Sequence, residues 1–254
     1  QPHLPTSLIL TPTRELAEQI CSVLKPLAHE VDLRVLTIYG GTSYVKQRRA
    51  LERGVDIVVA TPGRLVDLID QCYAILLGIE ILVLDEADQM MDLGFIHALK
   101  RIVRELPTQR QTLFFSATMP KSIRDLAGQF IKNPVEVKVT PVATTAERVD
   151  QLVTFVNQAE KQSLLTIALR DERIDRALVF TRTKHGADKV VKGLVKAGIP
   201  AEAIHGNKPQ NHRERVLAAF RTGDIRTLVA TDIAARGIDV DGISHVINFD
   251  LTNV

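Results

Sequence analysis

The 254-residue sequence has only two cysteines, Cys21 and Cys72, far apart and outside any C-x-x-C spacing. That excludes a disulfide framework and a thiolate zinc site, and it fits a reducing cytoplasm. No apolar run approaches the ~18 residues that a membrane span needs. The first residues carry no basic start followed by an apolar stretch, so no secretory signal is expected. Charge of one sign is lacking too: 32 Lys and Arg face 30 Asp and Glu, a net charge of +2. Nucleic-acid binders are often flagged by a basic excess, and on that number alone RNA or DNA is a poor candidate. The seven histidines show no H-E-x-x-H or paired ligand spacing, so no histidine metal site is expected. No G-x-x-x-x-G-K-S/T stretch occurs either, so the loop that cradles phosphates in P-loop enzymes is missing from the sequence.

What remains is ordinary globular composition, 45% hydrophobic and 24% charged, which rules out a disordered tail, a collagen-like chain and a coiled coil. At roughly 150 residues per domain the length suggests one or two domains. Short runs rich in β-branched residues, apolar on both faces, predict strands at 7–10, 34–38, 56–60, 81–84, 112–115 and 135–137. Amphipathic stretches at 15–28, 43–53, 64–69, 96–105 and 121–130 predict helices between them. The stretch 139–148, VTPVATTAER, has no apolar period and reads as a linker. The alternation then restarts, with strands at 151–156, 176–181, 201–205, 226–230 and 245–249 and helices at 161–169, 184–196 and 211–220. The expected class is α/β, with two tandem domains at 1–138 and 149–254, each a parallel sheet flanked by helices. Residues 1–138 hold 16 basic and 16 acidic side chains and residues 139–254 hold 16 and 14, so neither half is a basic domain.

Polar chemistry collects at the predicted strand ends. ILVLDEAD (81–88) is an apolar strand ending in three carboxylates, Asp85, Glu86 and Asp88. Ligands of open α/β sheets bind outside such ends. A strand-terminal Asp can hold hydrated Mg²⁺, and Glu86 could orient or deprotonate a water for attack on a γ-phosphate. The alternative is a solvated acidic turn opening a helix. FFSATMP (114–120) places Ser116 and Thr118 where they can bond a carboxylate such as Asp88; read alone, they suit an N-cap before the helix at 121. PTRELA (12–17, with Pro12, Thr13 and Arg14) and TPGR (61–64, with Thr61, Gly63 and Arg64) each follow a strand and precede a helix. Backbone N–H groups, Thr hydroxyls and Arg at such junctions make a phosphate site, although singly each is ordinary turn and cap chemistry. The pair Gly40-Gly41 permits close backbone approach. Together the three would line a track for a sugar-phosphate backbone. The second half holds a matching set: VFTRTK (179–184) with Thr181, His205-Gly206 followed by Gln210 and Arg213, and ATDIAARGID (230–239) with Thr231, Gly237 and Asp239. Asp239 could accept from a ribose hydroxyl or pair with Arg236.

In this order, PTRELA, the GG doublet, TPGR, DEAD, SAT, FTRTK, Gln-x-x-Arg and ATDIAARGID closely resemble the DEAD-box ATP-dependent RNA helicases, and the resemblance covers essentially the whole chain. The segments HGNK and FTRTKHGAD look like the bacterial RhlE-type branch. The resemblance implies two RecA-like domains with ATP in the cleft between them and RNA across both. It implies that Asp85 contacts Mg²⁺ through water, that Glu86 positions the attacking water, and that Asp88, Ser116 and Thr118 couple hydrolysis to closure. Pro12, Thr13, Arg14, Gly41, Thr61, Gly63 and Arg64 would hold RNA in the first domain, and Thr181, Gly206, Gln210, Arg213 and Thr231 in the second. Gly237 and Asp239 would meet ATP. The implied activity is RNA-dependent ATP hydrolysis with local duplex unwinding or RNP remodelling in the cytoplasm. Sequence-independent RNA is the partner, and RNP, ribosome-assembly or RNA-decay proteins are further ones.

Departures from the family pattern matter as much. The Q motif and Walker A segment are missing, as is the HRxGRxGR motif with its arginine finger, which is worth on the order of 10³–10⁵ in rate in related NTPases. The sequence therefore reads as an internal fragment of such an enzyme, expected to bind ATP poorly and hydrolyse none by itself. A natural short protein that binds RNA without ATP is the alternative, and a DNA-translocating relative is a third. Pro209 stands where the family usually has Ser, and could serve as the first residue of the following helix.

Overall fold

The computed structural model describes residues 3–131, 133–139, 149–235, 238 and 240–251. The chain divides into two compact units, Gln1–Pro134 and Val135–Val254. In the first, β1 (Ser7–Leu10), α1 (Arg14–Glu30), β2 (Val35–Ile38), α2 (Tyr44–Glu52), β3 (Ile57–Ala60) and α3 (Pro62–Asp70) are followed by β4 (Ile81–Leu84), α4 (Ala87–Asp92), α5 (Ile96–Val103), β5 (Gln111–Phe114) and α6 (Lys121–Phe130). All five strands are parallel, in the order β2-β3-β1-β4-β5. The second unit runs α7 (Lys161–Ala168), β6 (Ala177–Thr181), α8 (Lys184–Lys196), β7 (Ala201–Ile204), α9 (Gln210–Thr222), β8 (Thr227–Thr231), α10 (Asp232–Ala235) and β9 (His245–Asn248). Its parallel order is β7-β8-β6-β9.

The strands are apolar on both faces because helices cover both. Along β1, Leu8 and Leu10 enter one core cluster with Leu82, Leu84, Leu65 and Leu99, while Ile9 packs on the opposite side against Ala17, Tyr39 and Val59. The second sheet repeats this. Val179 and Val229 face α8 residues Val190 and Leu194, whereas Leu178, Leu228 and Ala230 face Val216 and Phe220 of α9. No helix among the described residues is long and apolar enough to cross a membrane.

Two expected strands do not form. Residues 135–137 and 151–156 pair with no strand among the described residues, and most of their apolar side chains lie open: Val135 is 91% and Phe155 96% exposed. β-Branched content makes a strand only where a neighbour supplies the ladder and a helix the cover. Two further short helices form: α4 opens from the acidic turn at 85–86, as the alternative reading of that turn had it, and α10, which was not anticipated, starts on Asp232 directly after β8. The helix at TPGR starts at Pro62, so Gly63 and Arg64 lie inside its first turn, with Thr61 as N-cap. Pro209 is the N-cap of α9 and Gln210 the first helical residue, one position off the expected arrangement. Apart from Val139, the expected linker lies outside the described residues.

Register decides what this scaffold presents. Leu10 is level with Ala60 and Leu84, Ala60 with Ile38, and Leu84 with Phe114. All five chains therefore leave the sheet along one edge. Substituting Ala for the fully buried Leu10, on the central strand, should cost about 2–5 kcal/mol in urea unfolding. Phe155→Ala should stay within about 0.5 kcal/mol, because that ring has little to lose.

Candidate functional site

At the carboxyl edge of the first sheet, Thr11 follows β1 fully buried, and its hydroxyl donates to the Thr13 carbonyl at 3.1 Å. Thr13 is the N-cap of α1, accepting from the Leu16 N–H at 3.3 Å, and Pro12 is buried between the two threonines. Arg14, the first helical residue, lies over the glycine turn after β2. A Cβ on Gly41, where φ is +85°, would collide with its guanidinium. At Gly40 a Cβ would stand 3.5 Å from Arg14 Nη2 and 3.9 Å from Arg64 Nη2. The two arginines thus converge over the glycine pair, one from each flanking helix start.

Thr61 makes no side-chain cap; its backbone N–H donates to Ile38 O at 2.9 Å and closes the β2–β3 edge. A Cβ on Gly63 would meet only Phe95, at an ordinary 3.9 Å, so nothing in this structure demands glycine there. Arg64 Nη1 donates to Gln47 Oε1 at 3.2 Å and lies 3.5 Å from Thr42 O.

The carboxylates stand two strands away from that turn. The Asp85 N–H donates to Leu10 O at 2.9 Å, so the residue still belongs to the ladder. Burial pushes the Asp85 carboxyl above the ordinary range, and one hydrogen bond from the Glu86 N–H at 3.0 Å only partly offsets it. Glu86 adopts a left-handed backbone, φ 51° and ψ 52°. Such a conformation costs a non-glycine residue on the order of 1–3 kcal/mol, and it swings the chain from the strand into α4. Ala87 then donates to Phe115 O at 3.0 Å, and Phe115 donates to Leu84 O at 2.8 Å, which ties the DEAD turn to the SAT turn.

Asp88 completes that tie. Its Oδ2 accepts from the Thr118 hydroxyl at 2.8 Å and the Thr118 N–H at 2.9 Å. Burial pushes the Asp88 carboxyl up, but these bonds and one from the Gln89 N–H outweigh it and hold the group below its ordinary value. Ser116 sends its own proton to Thr118 O at 2.7 Å and so braces the turn. The N-cap reading of these hydroxyls does not hold: α6 starts from Pro120 without a side-chain cap.

The second unit repeats the first device. Buried Thr181 donates to Thr183 O at 3.3 Å, and Thr183 caps α8 through the Gly186 N–H at 3.0 Å. Lys184, first in that helix, lies over Gly206, where a Cβ would be 3.5 Å from its Cε; its Nζ donates to Asn207 Oδ1 at 2.9 Å. Thr231 ends β8 level with Thr181. Gln210 and Arg213 do not reach the surface with this group; they are 7% and 8% exposed in the first turn of α9. Gly237 and Asp239 lie outside the described residues. The T-x-T-basic spacing shared by TPTR and TRTK was the available signal for Thr11, Thr183 and Lys184. Gln47 carried none, being one polar residue in a polar helix.

A DEAD/DEAH box helicase model matches residues 2–126, and a helicase conserved C-terminal domain model matches residues 159–253. The chain belongs to the DEAD/DEAH box helicase family. It is 47% identical to the RNA helicase CrhR of Synechocystis, over 96% of this chain and 50% of that protein. It is 44% identical to the DEAD-box ATP-dependent RNA helicase CshA of Streptococcus pneumoniae, over 96% and 47%. The chain spans about half the length of the curated relatives it matches. Among solved structures, S. cerevisiae Dbp5 bound to RNA and ADP BeF3 is 30% identical with a TM-score of 0.87, covering 99% of this chain and 64% of that one. A hypothetical ATP-dependent RNA helicase from Sulfolobus tokodaii is 36% identical with a TM-score of 0.52, covering 97% and 72%. The α/β fold with two parallel sheets is that of this helicase family.

The family uses ATP, with Mg²⁺ typical. Asp85 suits that ion: it is a half-buried carboxylate raised by desolvation that one backbone N–H only partly offsets. No group of three His, Cys, Asp or Glu among the described residues could cage a metal. Mg²⁺ needs no such cage, since it keeps waters and takes one or two carboxylates plus phosphate oxygens. Asp88 is committed to Thr118, whereas the Asp85 carboxylate receives only the Glu86 N–H among the described residues.

The Asp88–Thr118 contact makes a pH prediction. A carboxyl depressed in the folded state adds stability that is present above the unfolded value of about 3.9 and is lost as pH falls through the folded value. Carbon-detected NMR should place the Asp88 midpoint below that value. Thr118→Val should move it upward, because burial then dominates. The same substitution should destabilise more at pH 7 than at pH 2.

Proposed function

We propose that this protein is an ATP-dependent RNA helicase that grips the RNA backbone and couples ATP hydrolysis to local duplex unwinding or RNP remodelling. The observation that carries the reading is the convergence of Arg14 and Arg64 over the glycine pair, on the same sheet edge as Asp85 and Glu86. Two guanidinium groups and a helix start suit phosphate oxygens and carry no base readout. The Lys184–Gly206 pair would repeat the grip in the second unit, with Thr181 and Thr231 at its strand ends. Gln210 and Arg213, being buried, would support that grip from beneath.

In this reading Asp85 would hold hydrated Mg²⁺, and Glu86 would orient a water for attack on the γ-phosphate. Bound Mg²⁺ would supply charge neutralisation at the phosphates. The Asp88–Thr118 bond carries strain at the DEAD turn into the SAT turn, joined already by two backbone bonds. Gly237 and Asp239 would meet ATP. A cytoplasmic setting suits the two unbridged cysteines, of which Cys72 is exposed.

In the enzyme carrying this chain, Glu86→Gln should abolish RNA-stimulated ATP turnover while RNA binding persists in a filter-binding assay. Loss of RNA binding at unchanged hydrolysis overturns the assignment. Arg64→Ala should weaken binding of poly(U) and poly(A) oligomers alike; a strongly sequence-dependent loss contradicts a phosphate role.

A further inference from the structure

The Arg64 side chain is largely buried, 16% exposed, and most of its partners among the described residues are neutral. Gln47, only 5% exposed, sits beneath it. Gln47 Nε2 donates to Tyr39 O at 3.0 Å and Thr42 Oγ1 at 2.6 Å, on the two sides of the glycine turn. Two acceptors on the amide nitrogen settle the orientation of the group, because the flipped amide would set oxygen against a carbonyl. Oε1 is thereby turned toward Arg64 Nη1, at 3.2 Å. Thr42 O lies on the same nitrogen at 3.5 Å. On its other side the guanidinium carbon lies 5.5 Å from the Tyr44 ring centroid. Tyr44 meets Tyr73 edge-on at 6.2 Å, and Arg48 covers Tyr73 at 5.2 Å, so the two rings form a row with one arginine at each end. Among the described residues, Asp67 pairs with Arg64 at 3.8 Å, and its carboxylate is 62% exposed, where solvent screens it.

We propose that Gln47 and Tyr44 are positioning residues that aim the Arg64 guanidinium across the glycine turn while leaving its charge uncancelled for a phosphate. An acidic residue in place of Gln47 could also hold Arg64, but it would neutralise the cation and face the Tyr39 carbonyl. The amide does both jobs, bracing the turn with its nitrogen and the arginine with its oxygen. The ring of Tyr44 adds attraction through its face. Its hydroxyl is buried with no partner among the described residues, so the phenol oxygen adds nothing. This inference rests on Arg64 being a phosphate ligand, as read above.

The test is fluorescence anisotropy with labelled single-stranded poly(U), over a salt series and without nucleotide, on Arg64→Ala, Gln47→Met, Gln47→Glu and the double variant Gln47→Met/Arg64→Ala. Gln47→Met, which keeps the bulk, should raise Kd about five- to tenfold. It should also lower the log–log salt slope by up to ~0.7, the worth of one phosphate contact on a single strand. Gln47→Glu should weaken binding at least as much. The double variant should bind no worse than Arg64→Ala alone, since both lose the same contact. Tyr44→Phe should bind like the native chain, and Tyr44→Leu should lose affinity; this half-buried position carries the comparison if Gln47→Met fails to fold by circular dichroism. Additive losses in the double variant, or an unchanged salt slope in the Gln47 and Tyr44→Leu variants, overturn the proposal. If Arg64→Ala itself leaves binding and slope unchanged, the phosphate reading of Arg64 falls first and this inference with it.

Discussion

The parallel ladder is the constraint on which everything else depends. Five four-residue strands share a common register, and each leaves the sheet at the same level, so chemically unrelated turns become neighbours. Thr61, Thr11, Asp85 and Phe115 are each the first residue past a strand, and Gly40-Gly41 are the second and third past β2. Hydrogen bonds continue the ladder one residue beyond the strand ends: Thr11 to Ala60 O, Thr61 to Ile38 O, Asp85 to Leu10 O and Phe115 to Leu84 O. The turns are therefore extensions of the sheet, stiff where the chemistry requires fixed distances. The apolar price of that arrangement is a core with no polar face, which is why both sides of β1 and β6 must be roofed by helices.

One device appears twice. A strand-end threonine bonds the carbonyl of the threonine two residues on, which caps the next helix, and a basic first helical residue lies over the glycine that follows the next strand. Thr11, Thr13, Arg14 and Gly41 form it in the first unit, and Thr181, Thr183, Lys184 and Gly206 in the second. The cap residues even share backbone angles, φ −128° and ψ 158° at Thr13 against φ −127° and ψ 152° at Thr183. The grips differ in chemistry. Arginine offers a planar fork, whereas lysine is a point charge, and in the first unit a second cation, Arg64, joins Arg14.

Charge is handled locally in this protein. A net charge of +2 averages Arg14 and Arg64 together with the acidic turn past β4. What matters at each place is whether the charge is cancelled. Asp88 is saturated by hydrogen bonds and depressed, Asp85 is desolvated and raised, and Arg64 is supported by an amide, a carbonyl and a ring. The left-handed Glu86 sits between the two aspartates whose environments diverge.

Much of this was legible in the residues. Strand cores such as ILVL and TLVAT, the helices between them and the order of motifs follow from local pattern, because period and cap chemistry act over a few residues; the Thr118–Asp88 bond spans 30 residues, and the local N-cap reading of Thr118 failed. The segments at 135–137 and 151–156 looked just as strand-like, yet a strand exists only if a partner accepts its ladder, and that is not a local property. The same limit hid Gln47: its role depends on the glycine turn before α2, on Arg64 in α3 and on a buried carbonyl at Tyr39, which are brought together by sheet order alone. Sequence by itself determined which residue types stand at each strand end; tertiary structure decided which of them meet, because register and crossover set neighbours that spacing along the chain does not encode.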